Sequence, residues 1–106
     1  VFFMVKSVIN NDLGEAKKAA VAVLDFNATW CGPCRMLAPV LEEVSEEMKT
    51  KAEFFSVDVD VNPELAAEYG IIGVPCVVIL KNGESIGIAT GFRPKEDLIE
   101  FINSKI

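Results

Sequence analysis

The chain has 106 residues, of which 51% are hydrophobic and 25% charged. That length fits one compact domain, residues 1–106, whose core needs no metal or disulfide staples. Ten Lys and Arg against sixteen Asp and Glu give a formal charge of −6, which repels a phosphate backbone and argues against nucleic-acid binding; no apolar run is long enough to span a membrane.

Phe2 to Lys6 reads as a first strand, and Asp12 to Ala20, rich in Ala, Lys and Glu, as a first helix with Asp12 near its start. Val21-Ala22-Val23-Leu24-Asp25-Phe26 is nearly continuous in apolar residues, the pattern of a central strand buried on both faces, interrupted by one carboxylate. From Cys31 to about Lys49, the apolar residues Met36, Leu37, Val40, Leu41, Val44 and Met48 recur at helical spacing. Pro39 lies inside that run, and because the periodicity continues beyond it, a kink is expected and not a helix end.

Phe54 to Asp60 alternates as a third strand with polar residues on one side, and Asn62-Pro63 opens a short helix that Gly70 closes. Cys76 to Leu80, the Asn82-Gly83 turn and Ser85 to Ala89 predict a β-hairpin, after which Arg93-Pro94 starts an amphipathic last helix. The predicted order is β-α-β-α-β-α-β-β-α, with right-handed crossovers in the first half.

The chemistry concentrates in Trp30-Cys31-Gly32-Pro33-Cys34. Three cysteines is an odd count at low density; one close pair plus one thiol is a redox or metal pattern, expected in a reducing, intracellular setting. The opening Val1-Phe2-Phe3-Met4 lacks the basic residues and apolar length of a signal peptide, so a cytoplasmic location is expected. With Pro33 in the first helical turn, Cys31 falls at the helix N-terminus, where free amides and the helix dipole stabilise a thiolate. Cys31 is thus the candidate nucleophile, and Cys34, one turn on along the same face, the candidate resolving thiol. Gly32 and Pro33 allow close approach and fix the backbone, tuning the pair.

The chain has no histidine, so a base for thiol chemistry must be a carboxylate, a lysine or water. Asp25 is the candidate for proton transfer, since burial in an apolar strand raises a carboxyl pKa; the other reading is a strand-end Asp that reaches solvent. In Ile72-Gly73-Val74-Pro75-Cys76, the proline before a strand admits either a cis peptide or a plain strand entry. Side chains alternate along a strand, so Cys76 should face away from Pro75 as a small core residue; a third redox thiol or a metal ligand is the alternative.

Asp25-Phe26, Trp30 to Cys34, Pro39, Asn62-Pro63, Tyr69-Gly70, Val74-Pro75, Lys81-Asn82-Gly83 and Gly91 together resemble the thioredoxin family over essentially the whole chain. The resemblance implies an α/β thioredoxin fold: a five-stranded mixed sheet in the order 1-3-2-4-5 flanked by four helices, a cis Val74-Pro75 bond and a buried Asp25 beneath the dithiol. It also implies a substrate-docking surface made by Trp30, Gly32, Pro33, Gly73, Val74, Pro75 and Gly91, with Phe92 adding apolar area beside it. Three positions depart from the family pattern: Asn27 stands where a tryptophan is usual, Ser56 where a lysine is common, and Cys76 where a threonine follows the proline.

The expected function is protein-disulfide reduction as a general electron donor. The partners implied by the resemblance are disulfide-bearing proteins and an NADPH-dependent flavoprotein thioredoxin reductase, with no bound cofactor, no metal and a monomeric chain. A thiol oxidase or isomerase of the same fold is the rival within the redox class. From other classes, the rivals are a metal or iron-sulfur module using Cys31, Cys34 and Cys76, and a noncatalytic docking module.

Overall fold

The structure is a computed structural model and describes residues 5–106. Its elements are β1 (Val5–Ser7), α1 (Gly14–Lys18), β2 (Val21–Asn27), α2 (Gly32–Glu47), β3 (Glu53–Asp58), α3 (Pro63–Glu68), β4 (Cys76–Lys81), β5 (Glu84–Thr90) and α4 (Lys95–Lys105), in the order the sequence predicts. The first part of the predicted opening strand, residues 2–4, lies outside the described residues.

The five strands form one sheet in the order β1-β3-β2-β4-β5. β1, β3 and β2 run parallel, whereas β4 pairs antiparallel with both β2 and β5. β2 is central because its side chains can be buried on both faces: Ala22, Val23, Leu24 and Phe26 are fully enclosed. On one face Leu24, Phe26, Phe55, Val78 and Leu80 pack with Leu13 and Ala16 at α1 and Leu65 of α3. On the other, Val23, Phe54, Val77 and Ile79 pack with Leu37, Leu41 and Val44 of α2 and with Leu98 and Ile102 of α4. Burial of both faces at about 25 cal/mol per Å² of apolar surface is the main force that holds helices to sheet.

Local chemistry sets the element ends. Asp12 begins no helix; its Oδ1 accepts the Gly14 N–H at 2.8 Å in a tight turn, so α1 starts two residues later than predicted. Its last turn is cut short where Ala19 becomes extended and is buried. β3 ends at Asp58, two residues earlier than predicted, because the Asp58 carboxylate accepts the N–H groups of Asp60 at 2.8 Å and Val61 at 3.3 Å and turns the chain toward α3. α2 runs unbroken through Pro39, as its periodicity requires. The β4–β5 turn takes positive φ at Asn82 (52°) and Gly83 (85°), the backbone that suits strand twist and that Asn-Gly provides.

Candidate functional site

β2 delivers the chain to a short loop, and Cys31 then occupies the N-cap of α2 with extended backbone angles. Cys31 and Cys34 form a disulfide with their Cα atoms 5.2 Å apart, and both are buried. The Cys34 backbone N–H donates to Cys31 Sγ at 3.2 Å, so the sulfur takes the place of an oxygen cap at the helix start. In the dithiol form the same N–H and the helix dipole favour negative charge on Cys31. The Val74-Pro75 bond is cis, and the Val74 carbonyl oxygen lies 3.7 Å from Cys31 Sγ. Ala28, Val59 and Val74 complete a small apolar surround for the pair.

Asp25 is 3% exposed, which settles its two sequence readings in favour of the buried carboxyl. Removal from water pushes its pKa up from 3.8 to about 7, a rise that a hydrogen bond from Asn27 opposes. That bond is long: Asn27 Nδ2 is 3.5 Å from Asp25 Oδ2 but only 2.8 Å from both the Asp25 carbonyl oxygen and Ser56 Oγ. Among the described residues, Oδ1 of Asp25 has no hydrogen-bond partner. The register sets Ser56 beside both Ser7 and Asp25, so a polar row, Ser7–Ser56–Asp25, crosses three strands on the face turned toward α2. Above it lies a cleft of about 740 Å³, walled by Ala38, Pro39, Leu41, Glu42 and Glu43 of α2 and floored by Val5, Ser7, Asp25, Asn27 and Ser56. Ala38 follows Cys34 by four residues on one helix face, so the cleft begins one turn beyond the dithiol.

Cys76 is not part of this constellation. It is a free, buried thiol that packs on the opposite face of the sheet with Phe26 and Val78, its Sγ 3.8 Å from Thr90 Oγ1. Burial, and secondarily the charge of Asp25, push its pKa up, which disfavours the reactive thiolate. The core reading made from strand alternation holds.

Beside the disulfide, Trp30 is 68% exposed and its indole N–H donates to Asp60 Oδ2 at 2.9 Å. Gly73 and Val74 precede the cis-proline, and the Gly91 N–H donates to the Pro75 carbonyl at 2.8 Å. Gly91 adopts a φ of 97°, a backbone that side-chain-bearing residues rarely take, and Phe92 follows it partly exposed. Three neighbours escape the sequence reading. Asp60 reads only as one of the polar positions of a strand, Ser7 has no local signal, and Ile72, completely exposed, reads only as the start of the proline segment.

Residues 4–104 match the model of the family described as Thioredoxin. The chain belongs to the thioredoxin family. The thioredoxin of Listeria monocytogenes is 42% identical over 103 residues, covering 97% of this chain and 100% of its own. That of Bacillus subtilis is 46% identical over 86 residues, 81% of this chain and 83% of its own. A mutant thioredoxin from Halobacterium salinarum NRC-1 superimposes with a TM-score of 0.85 at 36% identity, over 94% of this chain and 88% of that one. The thioredoxin fold, with its sheet order, is therefore as the resemblance implied. Membership, together with the bonded Cys31–Cys34 pair, makes the chain a protein-disulfide oxidoreductase acting as a dithiol–disulfide reductase, with disulfide-bearing proteins and thioredoxin reductase as its general partners. Among the described residues, no helix is long and apolar enough to cross a membrane.

Proposed function

We propose that this single-domain, monomeric thioredoxin reduces protein disulfides in the cytoplasm through Cys31 as nucleophile, Cys34 as resolving thiol and Asp25 as proton acceptor. The Cys31 thiolate attacks one sulfur of the target disulfide, that S–S bond breaks, and the first target sulfur leaves as a thiolate while the second is held in a mixed disulfide with Cys31. Cys34 then passes its proton to Asp25 and attacks Cys31 Sγ; the mixed disulfide breaks, the second target thiolate departs, and Cys31–Cys34 is left oxidised. Both released thiolates take protons from water. An NADPH-dependent flavoprotein reductase returns two electrons to the pair, and the domain itself carries no cofactor.

The observation that carries this assignment is the contact between the Cys34 N–H and Cys31 Sγ at the first turn of α2. It favours charge on Cys31 and leaves Cys34 one turn deeper, needing a base. Asp25, poised near neutrality and lining the cleft with Ala38 on the helical face of Cys34, is suited to that task. Trp30, Gly73, Val74, Pro75, Gly91 and Phe92, with Gly32 and Pro33 at the helix start, form the ledge on which a target segment lies, Val74 offering main-chain hydrogen bonds in strand fashion.

Cys34→Ser should trap covalent adducts with disulfide-bearing proteins through Cys31, detected by mass spectrometry and released by dithiothreitol. A folded variant that traps nothing contradicts the mechanism. The Cys31–Cys34 potential measured against glutathione should be reducing, and an oxidising value would overturn the reductase assignment in favour of an oxidase.

A further inference from the structure

We propose that Asn27 is a positioning residue for the proton-transfer step: when Asp25 gives up its proton, the Asn27 amide turns one N–H from Ser56 to the Asp25 carboxylate, and Ser56 holds that N–H while Asp25 is protonated. The proposal rests on the reading of Asp25 as proton acceptor and adds the group that answers its change of charge.

The geometry sets two donors against three acceptors. The Asn27 amide carries two N–H groups, and its Nδ2 stands 2.8 Å from the Asp25 carbonyl oxygen, 2.8 Å from Ser56 Oγ and 3.5 Å from Asp25 Oδ2. The two short contacts use both hydrogens, so Oδ2 is left at the outer limit of a hydrogen bond. That distribution suits a neutral carboxyl. An ionised one draws harder, because a hydrogen bond to a charged acceptor is shorter and about twice as strong as one between neutral groups. Asp25 is also buried, where a carboxylate without donors is costly. Among the described residues Asn27 is the one side chain that reaches its carboxyl, at Oδ2, and Oδ1 has no partner.

Of the two acceptors that hold the amide, Ser56 is the one that can yield. The Asp25 carbonyl is fixed in the backbone of β2, whereas the Ser56 hydroxyl rotates, is half-buried and can bond to water in its turn. Register places Ser56 directly beside Asp25, so the N–H passes between neighbouring strand positions while the carbonyl still anchors the amide. No charged donor competes. The titratable groups that face Asp25 are Cys34, Glu42 and Glu43 from α2, Asp58 on β3, paired in register with Asn27, and Cys76 on β4, none of them cationic. From α4, the other helix on this face, the buried side chains are the apolar Leu98 and Ile102.

The first test reads the carboxyl itself, in the oxidised protein, where Cys31 and Cys34 hold no proton. Carbon-13 NMR follows the Asp25 carboxyl by its own signal, and nitrogen-15 NMR the two Asn27 side-chain N–H groups, across the midpoint that burial pushes up to about 7. One Asn27 N–H should move downfield with that midpoint. Asn27→Ala, or the near-isosteric Asn27→Leu should alanine pack poorly, removes the donor and should raise the midpoint by about one pH unit. Ser56→Ala frees the N–H for the carboxylate and should displace the midpoint the other way. In the Asn27→Ala background the same change should do nothing, and Ser56→Thr, which keeps the hydroxyl, should hold the parent value. An Asn27 amide that does not sense Asp25, an unmoved midpoint in folded Asn27 variants, or a Ser56→Ala midpoint at or above the parent's overturns the proposal. The second test is the decay of a preformed mixed disulfide on Cys31. Asn27→Ala should slow it about tenfold at pH 6 and leave it within about twofold at pH 9. If the carboxyl midpoint moves while the decay keeps the parent's pH profile, Asp25 is not the base, and the part of Asn27 in the step falls with it.

Discussion

Asp25 sits between two fully enclosed neighbours, Leu24 and Phe26, with one carboxyl oxygen unpartnered among the described residues and the other 3.5 Å from its nearest donor there. Its effect on stability has a definite sign. The unfolded chain ionises near 3.8, the folded one near 7; below the lower value both forms hold the proton and the group is neutral in the balance. Between the two, the unfolded state sheds the proton and the folded state keeps it, so stability falls as pH rises, and the full cost is present above 7. Asp25→Asn should accordingly stabilise the oxidised protein by up to about 4 kcal/mol at pH 8 and by little at pH 3. Denaturant unfolding across that range checks it, and a gain that does not grow between pH 4 and 7 would contradict the burial argument. The anomaly of Asp25 was visible in the sequence as a carboxylate inside an apolar run. Its neighbours Ser7 and Ser56 were not, or were visible only as a departure from the family, because cross-strand partners are fixed by register and crossover and leave no trace in the residues next to them.

At the scale of elements, α3 is six residues long and begins at Pro63, too short to be stable on its own. The sequence marks its start through Asn62-Pro63, yet Asn62 makes no side-chain cap to it. The cap comes from Asn11, whose Oδ1 accepts the N–H groups of Glu64 at 3.0 Å and Leu65 at 3.2 Å from 53 and 54 residues upstream. Asn62 is fully buried and turns instead toward β1 and β3: its amide donates to the Val8 and Asp58 carbonyls and its Oδ1 accepts the Asn11 N–H. Asn11→Gly keeps the positive φ of 54° accessible and removes only the cap, and should cost about 1 kcal/mol. Asn62→Ala strands the Val8 carbonyl and the Asn11 N–H, while the Asp58 carbonyl keeps the Asn62 backbone N–H at 2.8 Å, and should cost more, about 2–4 kcal/mol. Urea midpoints give both values, and a larger loss at Asn11 than at Asn62 would reverse the assigned roles. Hydrophobic periodicity together with composition and the Asn-Pro, Asn-Gly and Gly signals located the described helices and strands, while the ends of α1, β3 and α3 depend on Asp12, Asp58 and Asn11, polar contacts that such patterns do not encode.

For the whole molecule, the antiparallel pairing of β4 with β2 and β5 sets Phe26, Cys76 and Thr90 side by side, and so brings Trp30 to the same edge as the cis-proline turn before β4 and the Gly91-Phe92 turn after β5, although these lie far apart in the chain. Trp30 adjoins Cys31, whose sulfur faces the Val74 carbonyl, and Gly91 is tied to the Pro75 carbonyl, so the turns that carry Ile72 and Phe92 lie at the disulfide's edge of the sheet with Trp30. Ile9, Met36, Val61, Ile88 and Ile106 are also exposed, but these three lie on the proposed docking ledge, where burying them against a target would supply binding that is independent of the thiol chemistry. Ile72 offers the clean test, because a side chain in full contact with water contributes little to folding. Ile72→Ser should leave the unfolding midpoint unchanged and lower kcat/KM toward protein disulfides about fivefold, the loss of roughly 1 kcal/mol of apolar contact in the bound state. The rate with a small aromatic disulfide, which reaches Cys31 without covering the ledge, should stay within about twofold of the parent. Equal losses on both substrates would mean that Ile72 acts on the dithiol and not on the target, and would move the docking edge to the Trp30 and Phe92 side.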